Sequence, residues 1–236
     1  MKKGLKSILV ISFFLVIFGI STPSQAVTIT GTMTADNLYG LYVFEGSNLD
    51  HLFTPLDSTW ETAETDSGDI DLGVTLDLYF LVKNYVPPAP GSRNPAGFLG
   101  QVSLSGGAIF QESGTSQILS DDSALWKIAA LSTVQFNNII ANYDNILGSY
   151  YWQSPPTSYG ANNSSTIRNS VHGGPIAGIS NDAEWIWTDK NFSANQDNYG
   201  LIHLAVTPVP EPATMLLLGS GLLGLAAFGK ARRKRS

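Results

Sequence analysis

The chain has 236 residues, no cysteine and a formal charge of −6. The missing cysteines exclude thiolate catalysis, cysteine-ligated metal and disulfide stapling, so the core alone must supply stability. Between residues 27 and 208 only Lys83, Arg93, Lys127, Arg168 and Lys190 oppose eighteen Asp and Glu, a formal charge of −13 that argues against nucleic acid or anionic lipid as partner.

At the start of the chain, Lys2, Lys3 and Lys6 precede an apolar run over residues 8–20, and Ser24-Gln25-Ala26 places small residues where a signal peptidase reads. This pattern predicts a secretory signal peptide over 1–26, cleaved after Ala26. Its apolar run is too short to span a bilayer comfortably.

The next 181 residues, 27–207, are enough for one domain with a sizeable core. Residues 27–34 alternate β-branched and small side chains, and Ala35-Asp36-Asn37 predicts a hairpin turn into a strand over 38–44. In residues 74–82, Leu76, Leu78, Phe80 and Val82 fall on one face and Asp77 on the other, the pattern of a central strand. Four prolines between 86 and 95 predict a loop, after which residues 98–104, 183–188 and 201–206 resume strand pattern. Phe136, Ile139, Ile140, Tyr143, Ile146 and Leu147 recur at helical spacing, with Ser132 or Thr133 as N-cap and Gly148 as stop, which predicts one helix over 134–147. Many short strands and one short helix read as an all-β sandwich.

At the far end, Val209-Pro210-Glu211-Pro212 precedes seventeen uncharged residues, 213–229, and then five Lys and Arg in 230–236. At about 1.5 Å per residue the run covers roughly 26 Å, within the range of a transmembrane helix. The cations after it hold the C-terminus on the cytoplasmic side, so everything before it faces outward.

Candidate binding residues lie in one aromatic stretch. Tyr150, Tyr151, Trp152 and Tyr159 flank Pro155-Pro156 in a segment rich in Ser and Asn, followed by Arg168 and His172. Flat rings beside amide and guanidinium donors suit a sugar-binding platform, and packing at the sandwich edge is the alternative. Trp60, Trp126, Trp185 and Trp187 read as core or edge. Asp66, Asp69 and Asp71, with Asp77, Gly68 and Gly73 nearby, are candidates for a calcium site, against the simpler reading of solvated loop acids. His51, His172 and His203 stand alone, with no partner at metal-ligand spacing. No nucleophile elbow occurs. Gly219-Ser220-Gly221-Leu222-Leu223-Gly224 matches a dinucleotide fingerprint, but it lies in the apolar run with no strand before it. Asn162, Asn163 and Asn191 occupy acceptor-like tripeptides for N-glycosylation.

Two resemblances follow from these residues. The motif 209–212, the small and leucine-rich span 213–229 and the Arg-rich tail together resemble the PEP-CTERM sorting domain of Gram-negative bacteria, also called the ice-binding protein C-terminal domain. That resemblance implies processing near Glu211 by an exosortase and delivery to the cell surface, usually in species that make exopolysaccharide. Ala35-Asp36-Asn37 with Leu41-Tyr42-Val43, Asn94-Pro95-Ala96-Gly97-Phe98-Leu99, Ser123-Ala124-Leu125-Trp126-Lys127 and Ala183-Glu184-Trp185-Ile186-Trp187 resemble the spaced signatures of galactose-binding-like jelly rolls. Residues 132–172 have no counterpart in that pattern. The resemblance implies a jelly-roll ectodomain and glycan binding or a surface-module role, in some members with calcium.

Together these readings predict a signal peptide (1–26), a β-sandwich ectodomain (27–207) and a sorting region (208–236). The function expected is that of a non-catalytic surface or matrix protein associated with extracellular polysaccharide and needing no cofactor. The alternatives are a secreted carbohydrate-active enzyme and a structural surface protein without a glycan ligand.

Overall fold

The computed structural model describes residues 25–35, 38–45, 48–53, 62–72, 76–84, 96–121, 123, 125–165, 174–188, 199–208, 219–221 and 223. The signal segment before Gln25, the proline-rich loop, Trp60, Arg168, His172, Asn191, the motif 209–212 and nearly all of the apolar run lie outside the described residues. No helix among the described residues is long and apolar enough to cross a membrane.

The domain consists of two antiparallel sheets. The first runs in the order β10 (Thr157–Ala161), β11 (Glu184–Ile186), β6 (Phe98–Leu104), β1 (Gln25–Ala35) and β4 (Glu64–Leu72), with β8 (Gln117–Leu119) also on β6. The second runs β3 (Asn48–Phe53), β2 (Leu38–Glu45), β5 (Leu76–Lys83), β12 (Tyr199–Pro208) and β7 (Ala108–Phe110), with β9 (Lys127–Ala130) also on β12.

Period-two patterning explains how the sheets face each other. Val27, Ile29, Met33 and Ala35 of β1 point inward, as do Leu76, Leu78, Phe80 and Val82 of β5 and Ile202, Leu204 and Val206 of β12. Between the sheets, Phe80, Phe98 and Trp126 form a triangle with ring centroids 5.6–6.0 Å apart. Full burial of such side chains stabilises the fold by about 1.5–3 kcal/mol each. Trp126, Trp185 and Trp187 are all fully buried, as core residues should be.

Three local expectations are corrected. Strands β1 and β2 do not form a hairpin: β1 pairs with β4 and β6 in one sheet, β2 with β3 and β5 in the other. Val27, Ile29 and Met33 of β1 and Tyr39, Leu41 and Val43 of β2 share one core, and placing the two strands in facing sheets buries both sets in it. The acidic stretch containing Asp66 and Asp69 is not a loop but β4, an edge strand, where water reaches the carboxylates and charge discourages pairing with other chains. The helix divides into α1 (Thr133–Ala141) and a 3-10 helix (Tyr143–Leu147). Asn142 sits extended between them and its side chain accepts from the Asp144 N–H, so an asparagine that favours caps over helix interiors breaks the run.

Candidate functional site

The outer face of the second sheet is covered by residues 131–152, a segment that lies across it as a cap. A reciprocal capping box starts the cap: the Gln135 N–H donates to Ser132 Oγ, and the Ser132 N–H donates to Gln135 Oε1. Helix α1 then presents Phe136 and Ile139 to the sheet, the 3-10 helix adds Ile146, and Tyr150 and Trp152 follow. Beneath them lie Tyr42, Tyr79, Leu81 and Leu201, the strand residues that alternate with the core-facing set. Gln153 fastens the far side. Its backbone exchanges hydrogen bonds of 2.8 and 3.0 Å with Ile128, and its side-chain amide donates to the Thr188 carbonyl.

Aromatic contacts run the length of this cap. Phe136 stacks on Tyr199 at 4.2 Å between centroids, and Tyr143 lies 4.8 Å from Tyr42. Tyr150 meets Trp152 edge-on at 5.8 Å, and Trp152 stands 5.5 Å from His203, which is 5.0 Å from Tyr79. His203 Nε2 lies 2.7 Å from Asp77 Oδ1, joining β12 to β5 at the margin of the ring cluster.

Burial sets the protonation of the phenols. It is the largest cause of the rise of Tyr79 to about 12, with Asp77 and then Tyr150 adding to it. Tyr42 is held well above the ordinary phenol value by burial and then by Tyr143, and Tyr150 is raised by burial. Near neutral pH these rings are therefore uncharged.

The predicted residues separate on this scaffold. Tyr150 and Trp152 are half-buried members of the cap cluster, whereas Tyr151 between them projects outward, 86% exposed. Tyr159 belongs to β10 of the first sheet, away from the cap's own sheet. Tyr159 is thus carried by a different sheet from the one under Tyr150, Tyr151 and Trp152, and Arg168 lies outside the described residues. Asp77, Tyr79 and His203 were not predicted as a group, although their alternation with core residues was a usable signal for a shared outward face.

The carboxylates of β4 also separate. Asp66 stands opposite Gly31 and Asp69 opposite Thr28, and an odd spacing along a strand sends their side chains to opposite faces. Asp69 accepts from Thr28 Oγ1 at 2.6 Å and Asp66 from the Ser67 N–H, while Asp71 pairs with Ala26 in the register. Among the described residues no three His, Asp or Glu gather at metal-binding distance.

Asn162 is fully buried and ties β10 to the loop that covers the first sheet. Its amide group donates to the carbonyls of Ile176, Ile179 and Ser180, and its oxygen accepts from the Ile176 N–H at 2.7 Å. The side chain serves the fold and is not presented for sugar attachment.

Charge and apolar exposure distinguish the cap from the rest of the domain. Between residues 128 and 181 the only charged side chains are Asp144 and Arg168. Val134, Ile140, Tyr143, Leu147 and Tyr151, all in the cap, are the exposed large apolar residues described within 25–208. The exposed amides of Asn137, Asn138 and Asn142 lie among them.

Residues 208–235 match the model of the PEP-CTERM protein-sorting motif. No curated protein and no solved structure matches the chain. The matched segment begins at the last residue of β12, so the sorting signal leaves the sandwich directly from a central strand. The chain is accordingly an exported precursor, anchored in a membrane and processed by an exosortase.

Proposed function

We propose that the domain delivered by this sorting signal is a non-catalytic protein of the outer surface or extracellular matrix of a Gram-negative bacterium, and that it holds extracellular polysaccharide through its cap. The observation that carries this reading is the cap's composition. In a domain of formal charge −13 the cap is nearly free of charge, rich in amides and crowned by exposed rings. An uncharged pyranose offers an apolar C–H face to a ring such as Tyr151, and its hydroxyls can exchange hydrogen bonds with Asn137 and Asn138. The buried part of the cluster, from Tyr150 and Trp152 to Tyr79, holds that surface in place. An anionic polymer would meet the acidic domain at a disadvantage and find few cations to pair with.

Affinity electrophoresis tests the reading. The protein is run through gels containing the host's neutral exopolysaccharide. Retardation that grows with polymer concentration supports it, and unchanged mobility in every gel counts against it.

A second reading, a secreted carbohydrate-active enzyme, draws on the His203–Asp77 pair beside Trp152. Turnover of the polysaccharide that disappears in Asp77→Asn would favour this second reading over the first.

A further inference from the structure

Both exits of the folded domain lie at one end of the sandwich. At this end β1 begins, with Gln25 opposite Leu72, and β12 finishes, with Pro208 opposite Ala108. A single turn of Ser105, Gly106 and Gly107, joining β6 to β7, touches both. The Ser105 N–H donates to the Thr28 carbonyl at 3.0 Å, and the Thr28 N–H donates to Ser105 Oγ at 3.2 Å. Gly106 adopts φ +70° so close to β1 that a Cβ there would lie 2.3 Å from the Ala26 carbonyl oxygen. The turn then runs directly into Ala108, the partner of Pro208.

The opposite end carries the start of β12, where Tyr199 stacks on Phe136 of the cap. Nine Cα steps of extended strand separate Tyr199 from Pro208, about 30 Å. In contrast, the chain between Pro208 and the apolar run is five Cα steps, at most about 17 Å. The tether is shorter than the strand from which it hangs.

We infer that in the anchored precursor the sandwich stands end-on, with the Ser105–Gly106–Gly107 turn facing the bilayer and its processing enzyme and the α1 end of the cap directed away. The inference rests on the anchored-precursor reading and not on glycan binding. Two further features agree with it. β1 begins at the same end, so until signal peptidase acts both terminal segments are attached to the domain on the side of the anchor. Strong negative charge over the remainder of the domain opposes lying flat on an anionic leaflet.

Because the chain has no cysteine, single labels test the orientation cleanly. Ser105→Cys and Asn137→Cys are introduced separately into the full precursor and labelled with a donor dye in inner-membrane vesicles from cells lacking the exosortase. Energy transfer to an acceptor on lipid headgroups is then measured. Thr207→Cys and Val134→Cys provide a second position at each end should either first variant fail to fold. The expected result is several-fold stronger transfer from the 105 or 207 position than from 137 or 134. Equal transfer at the two ends, or stronger transfer from the cap, overturns the orientation while leaving the anchor intact. Release of the chain by alkaline carbonate overturns it at the anchor.

Discussion

Trp152 and His203 lie with ring centroids 5.5 Å apart, one on the cap and the other on β12, and the same imidazole reaches Asp77 on β5 at 2.7 Å. The cap is therefore keyed into two central strands of the second sheet. Neighbouring residues on this key should respond very differently to substitution.

Trp152→Ala removes a ring that joins Tyr150 to Tyr79 and His203. The loss should lower stability by about 3 kcal/mol and increase proteolysis within residues 131–152. Tyr151→Ala, at a position 86% exposed, should change stability by no more than about 0.5 kcal/mol while weakening polysaccharide binding. Urea denaturation beside a binding assay separates the two effects.

Asn162→Ala leaves the Ile176 N–H and three carbonyls without their buried partner. The expected cost is about 2–4 kcal/mol, read as a lower urea midpoint. Asn162→Asp should not rescue it, because a carboxylate cannot donate to the carbonyls of Ile176, Ile179 and Ser180.

Gly97→Ala should also destabilise the fold. A Cβ at this position would lie 2.6 Å from Cε3 of Trp185, a fully buried ring with little room to yield. Overpacking of this kind costs about 1–3 kcal/mol, measurable as a fall in Tm. Gly114→Ala makes a useful contrast: nothing lies within 4 Å of its added methyl, so only the positive φ is strained.

Alkaline pH should loosen the cap. Tyr79 is raised in the folded chain to about 12, and Tyr42 is also raised, each chiefly by burial. For an acid whose folded value exceeds its unfolded value near 10, the stabilising contribution is complete below pH ~10. It is lost as pH climbs from there through about 12 for Tyr79. Phenolate absorbance should consequently rise in two phases: exposed tyrosines first, then the buried group together with loss of near-ultraviolet circular dichroism. A single phase with native dichroism throughout would contradict this assignment.

Much of the fold was legible because it depends on alternation. Leu76, Leu78, Phe80 and Val82 identified β5 from the sequence, and Ser132 and Gly148 marked the ends of the helical segment. The alternation of β1 and β2 gave their faces but not their partners, since a strand's pattern is the same in either sheet. β4 was obscured because an edge strand tolerates the Asp and Gly residues that usually mark loops. The cap site was half legible: Tyr150, Tyr151 and Trp152 announced an aromatic surface, but Asp77 and His203 lie 126 residues apart. Only the β5–β12 register brings them together. Tyr159 looked close to those rings in sequence, yet β10 carries it into the other sheet.

Binding of a neutral glycan by the uncharged, ring-bearing cap underlies the function proposed for the exported domain. Its most direct test is calorimetric titration of the purified mature protein with neutral oligosaccharides from the host's exopolysaccharide, alongside Tyr151→Ala and an anionic polysaccharide. Saturable binding to the neutral glycan is expected, at least about tenfold weaker in the variant (roughly 1.4 kcal/mol), with no binding to the anionic polymer. No heat with any neutral fraction, or binding of equal strength in Tyr151→Ala, would contradict it.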